Sequence, residues 1–128
     1  MTLEITPVYL GILTLLMLVY GIRVSLLRQK HKVSIGTGDY PDLQRAVRAF
    51  GNFTEWVPLI VIALGACEGA GAPDLLIHVV GIALIVGRLA HMMGLFPDRT
   101  TTARMIAVLL TWACALVTGG YLIYAAIV

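Results

Sequence analysis

Arg45, Arg48, Asn52 and Glu55 follow one another at offsets of three, four and three residues. On a helix that spacing stacks side chains on one face. Arginine forks pair with carboxylates, an amide offers both donor and acceptor, and a glutamate takes an ammonium or an amide N–H. Arg88 and His91, three apart, form a second polar face. Together they make a site of mixed sign with a cationic excess, suited to a ligand bearing several carboxylates and one ammonium group. The same residues have a purely structural alternative: Arg48 and Glu55, or Glu55 and Arg88, neutralise each other and lock helices together. His91 taken alone reads as a packed or interfacial histidine, and Arg99 and Arg104 as loop charges that fix topology.

The setting sharpens the question. Hydrophobic residues make up 59% of the 128 positions and charged residues only 12%, where a soluble domain carries about 25% charged; mean hydropathy is +0.93. These values predict an integral membrane protein, all-α, with room for four spans of about 20 residues and no separate soluble domain. Ionisable groups at membrane depth are costly and face a bundle interior or a wet cavity, which makes them functional candidates. The net charge of +2 gives no support for nucleic-acid binding once the basic residues are placed on membrane loops. Cys67 and Cys114 lie far apart in apolar runs without a CxxC, so they read as buried thiols and no metal site is expected.

The elements that must position these residues follow from the hydrophobic pattern. A single domain over residues 1–128 is expected, with helices at about 5–27, 41–69, 74–95 and 102–127. The first run is preceded by Glu4 and followed by Arg23, Arg28, Lys30 and Lys32, the reverse of a cleavable leader, so it reads as a retained helix. The second starts at Pro41, with Asp39 as a candidate N-cap. It is long enough for its first two turns to leave the hydrocarbon. Pro58, inside it, is tolerated in a membrane helix and is a place where a cavity can widen. Threonines 100–102 are candidate caps of the fourth helix, which carries no charge beyond Arg104 and ends near Tyr121 and Tyr124. All nine Lys and Arg residues fall at one end of this arrangement, which the positive-inside rule makes cytoplasmic, with both termini on the other side.

The run Arg48-Ala49-x-x-Asn52-x-x-Glu55, then Trp56 and Pro58, resembles the signature of the MAPEG family, the membrane-associated proteins of eicosanoid and glutathione metabolism. Lys32-Val33-Ser34-Ile35-Gly36-Thr37-Gly38 and Gly87-Arg88-Leu89-x-His91-x-x-Gly94 resemble its bacterial members. The resemblance implies a homotrimer of four-helix subunits in a bacterial inner membrane, with glutathione as co-substrate held between neighbouring subunits near the cytoplasmic side. It implies that Arg45, Arg48, Asn52, Glu55, Trp56, Arg88 and His91 bind glutathione. The family's thiolate-stabilising arginine follows the last loop, where Arg104 is the preferred match and Arg99 the alternative. Trp56 stands where the family commonly has Tyr, Leu95 where some members have Tyr, and Phe50 where some have a polar residue.

The implied activity is that of a membrane-bound glutathione transferase or peroxidase acting on lipophilic electrophiles that arrive from the bilayer. A cysteine-like thiol has a pKa of about 8.5, and a nearby guanidinium favours the nucleophilic thiolate. Two other classes remain open. One is a non-catalytic lipid- or glutathione-binding protein of the same fold. The other is a small exporter of cationic drugs, which would want a membrane-embedded acid in its first helix, where this chain has none after Glu4.

Overall fold

A computed structural model describes residues 3–93 and 101–128. Four helices follow in order: α1 (Thr6–His31), α2 (Pro41–Gly69), α3 (Asp74–Met93) and α4 (Thr101–Ile127). Each is long and apolar enough to cross a membrane. α2 and α3 each touch the other three helices, whereas α1 and α4 do not meet among the described residues.

The helices pack apolar faces together and also turn apolar side chains outward. α2 buries Leu43, Ala46, Ala49, Phe53, Val57, Ile60, Leu64 and Cys67 at helical spacing. Outward, Leu59 is 71% exposed and Leu116 77%, as expected where hydrocarbon is the solvent. The Tyr20 and Phe53 rings, 5.3 Å apart between centroids and tilted by 54°, join α1 to α2. Gly81 lets α3 approach α1: a Cβ there would lie 2.5 Å from the Tyr9 ring. The Tyr9 hydroxyl meets His78 Nδ1 at 2.8 Å.

Two boundaries differ from the expectation. α1 continues past Leu27 through Arg28, Gln29, Lys30 and His31, because Arg28, Gln29 and Lys30 are good helix formers that continue the helix in the polar zone where hydrophobicity stops. The N-cap of α2 is Tyr40, without a side-chain cap bond, so Asp39 does not cap it; Pro41 occupies the first helical position. The α1–α2 corner is tied instead by His31, stacked on Tyr40 at 3.9 Å and bonded through Nε2 to Asp42 at 2.9 Å. At the opposite end, Glu68 accepts the backbone N–H groups of Glu4, Ile5 and Thr6 at 2.7, 2.8 and 2.8 Å. The C-terminus of α2 thereby caps the start of α1, whose own sequence supplies no side-chain cap.

Candidate functional site

The polar residues of α2 divide between two environments. Arg48 and Glu55 point outward, with side chains 71% and 52% exposed, and Arg48 Nη1 donates to Glu55 Oε1 at 3.3 Å. Two helical turns separate them, and Asn52 lies between. Glu55 therefore pairs along its own helix with Arg48, which selects one of the two structural alternatives, and not with Arg88. Trp56 is 37% exposed beside them. Arg45 is half-buried, and its Nε is enclosed without a hydrogen-bond partner.

Arg88 is 1% exposed, the largest fully buried side chain among the described residues. Its Nη1 donates to Asn52 Oδ1 at 2.8 Å, and its Nη2 donates to the Thr111 hydroxyl. That hydroxyl in turn donates to the Ala107 carbonyl at 2.7 Å. The Tyr20 hydroxyl donates to the Arg88 carbonyl at 2.7 Å. One residue of α3 thus gathers a polar contact from each of the other three helices. Both side-chain acceptors are neutral, and Nε has no partner among the described residues. A buried guanidinium is ordinarily neutralised by a carboxylate; no carboxylate among the described residues pairs with Arg88.

His91 is 7% exposed, and its Nδ1 also lacks a partner among the described residues. α3 packs against α4. Arg104 itself is exposed. Arg99 lies outside the described residues, as do Gly94, Leu95 and Thr100.

The geometry therefore joins Arg88 to Asn52 and sets the Arg48–Glu55 pair on the outer face of α2. Thr111 and Tyr20 belong to this constellation and are not singled out by the sequence reading. Their signal is weak but present: Ala107, Thr111, Cys114 and Thr118 recur at offsets of four, three and four, and all four are buried. Beside Pro58, through which α2 continues, a cavity of about 560 Å³ lies between α1 and α2, with walls that include Met17, Phe53, Val57 and Ile62.

The MAPEG family model matches residues 6–124. This chain belongs to the MAPEG family. It is similar to the inner membrane protein YecN of Escherichia coli strain K12, 33% identical over 112 residues that cover 88% of this chain and 84% of the relative. YecN of Escherichia coli O6:H1 (strain CFT073) matches at the same identity and coverage. No solved structure matches the chain. Family membership and four apolar helices make this an integral membrane protein, and that name assigns YecN no activity.

Proposed function

We propose that this MAPEG protein binds glutathione on the Arg48–Asn52–Glu55 face of α2 and uses it, as a transferase or peroxidase, on lipophilic electrophiles. The observation that carries the reading is the exposed Arg48–Glu55 pair on a helix that crosses the membrane. Two outward-facing ions on such a helix favour a polar occupant or a neighbouring subunit that covers them.

The donor set fits the ligand. Glutathione brings two carboxylates, one ammonium and a thiol. Arg45, Arg48, Arg88 and Arg104 supply cations and Glu55 the one anion in this set.

In this reading Arg48 pairs with a ligand carboxylate, Glu55 takes the ammonium, and Asn52 offers its amide N–H while Arg88 holds its carbonyl in place. Arg104, or Arg99, stabilises the thiolate after the thiol proton leaves to water. The thiolate then forms a C–S bond with the electrophilic carbon; in a substitution the carbon–halogen bond breaks and the halide leaves as the free anion, and in an addition the carbanion formed takes up a proton from water. Substrate enters from the bilayer, so proximity to a preformed thiolate lowers the entropic part of the barrier. The assembly is a homotrimer in the inner membrane, with the basic loops cytoplasmic, both termini on the other side, and the exposed face of α2 covered by a neighbour.

A second reading, binding without chemistry, draws on Arg88. Its side chain is committed to Asn52 and Thr111, which suits a structural lock as well as a ligand contact. Equilibrium binding of glutathione to the purified protein, followed by turnover of an aromatic halide, separates the two. The proposal expects saturable binding that Arg48→Ala weakens by about tenfold or more, the loss of one charge-assisted hydrogen bond, together with conjugate formation. Binding without conjugate would favour the second reading, and no binding to folded protein would end both.

A further inference from the structure

The hydrogen bonds around Arg88 all run in one direction. Thr111 has a single hydroxyl proton, which goes to the Ala107 carbonyl at 2.7 Å, so toward Arg88 Nη2 its oxygen can only accept. Arginine has no acceptor, so the Asn52 atom 2.8 Å from Nη1 must be the amide oxygen. The Tyr20 hydroxyl ties down the backbone of the same residue by donating to the Arg88 carbonyl at 2.7 Å.

An asparagine amide is otherwise ambivalent, because half a turn about its last bond exchanges acceptor for donors. Here half a turn would set its NH2 against a guanidinium, donor against donor. That guanidinium is held at its other branch by Thr111, which is 3% exposed. A hydroxyl on α4 thus decides, through α3, which end of an α2 amide faces inward. Asn52 is half-buried and lies between Arg48 and Glu55 on the α2 face, four residues after one and three before the other. With its oxygen committed to Arg88, it has only N–H bonds to offer on that face.

We propose that Thr111 is a positioning residue that, through Arg88, fixes the Asn52 amide as a donor toward a carbonyl or carboxylate of the ligand. Arg48 and Asn52 then form the part of the site that takes ligand oxygens, and the ammonium is left to Glu55. The role in binding rests on the glutathione reading, whereas the orientation of the amide rests on bonds within the chain. Thr111 stands seven residues beyond Arg104, about 10 Å along α4, so recognition at Asn52 is separable from stabilisation of the thiolate.

Two measurements on the full chain in micelles test it: NMR of the Asn52 side-chain amide without ligand, and equilibrium binding of glutathione to folded protein. In Thr111→Val the amide should lose its single ordered orientation. Glutathione affinity should fall about threefold or more, because only the donor orientation is competent to bind. Thr111→Ser, which keeps the hydroxyl, should restore both. In an Asn52→Ala background Thr111→Val should cost no further affinity, as expected of residues that act through one contact. At saturating glutathione the thiolate of Thr111→Val should titrate as in wild type, whereas a general loosening of α4 would shift it. An Asn52 amide as ordered in Thr111→Val as in wild type would overturn the proposal. So would equal affinity losses with and without Asn52, a shifted thiolate titration, or a Thr111→Ser protein as weak as Thr111→Val. Should the double variant not fold, the amide spectra and the serine variant decide alone. Failure of folded wild type to bind glutathione would overturn the glutathione reading and the binding role with it, while the amide spectra still decide the orientation.

Discussion

Replacing Thr111 by Val tests the buried polar junction with almost no change in shape. The hydroxyl accepts from Arg88 Nη2 and donates to Ala107, and Val cannot accept. Arg88 already has one unpartnered nitrogen and is 1% exposed, so Nη2 has no water to turn to. Leaving a donor on a charged group unsatisfied costs about 1.5–3 kcal/mol in soluble proteins. In a bilayer the separated helices find other partners, and measured interhelical bonds average about 0.6 kcal/mol with a maximum near 1.7. The charged donor places this contact toward the upper end, about 1–2 kcal/mol, or roughly 5- to 30-fold in the unfolding equilibrium. Reversible unfolding in mixed micelles measures it. Thr111→Ser, which keeps the acceptor, should recover most of the loss. A Thr111→Val protein as stable as wild type, or a Thr111→Ser protein as weak as the Val variant, would refute the view that Thr111 acts through the Arg88 bond.

Gly81→Ala should destabilise by about 1–3 kcal/mol, the usual range for overpacking, because the new methyl would lie 2.5 Å from the Tyr9 ring; a thermal unfolding midpoint equal to wild type would show that α1 and α3 separate freely. Glu68→Ala removes the acceptor of three N–H groups at the start of α1. It should cost about 0.5–2 kcal/mol, as helix-cap losses do, and speed amide exchange at Glu4, Ile5 and Thr6 specifically; unchanged exchange there would count against the cap. Asp42→Asn should loosen the corner that His31 and Lys30 make with it and raise proteolysis in the loop between α1 and α2 without altering the polar junction around Arg88.

The sequence makes the polar face of α2 legible, because offsets of three and four fix which residues share a face whatever surrounds the helix. It does not reveal which partners those residues choose. Glu55 is free, on pattern alone, to pair with Arg48 or Arg88, and only the placement of α3 decides that Arg88 turns to Asn52 and Thr111. Thr111 is hidden because a threonine can satisfy its own helix, as it also does here toward Ala107, so nothing in an apolar run marks it as an acceptor for another chain segment. Glu68 is hidden for a similar reason: it closes α2 in sequence but caps α1 in space. The end of α1 is misjudged when hydrophobicity stands in for helicity, since Arg28 to His31 leave the hydrocarbon without leaving the helix.

The proposed glutathione chemistry requires a thiol activated beside an arginine. The direct measurement is an ultraviolet difference titration of the purified protein with glutathione, set beside Arg104→Ala, Arg99→Ala and Arg48→Ala. The account predicts a saturable thiolate band at a pH where free thiol, pKa about 8.5, is mostly protonated. The band should vanish in Arg104→Ala or Arg99→Ala, and saturate only at higher glutathione in Arg48→Ala. Saturable binding with no thiolate band in the wild-type protein would contradict it.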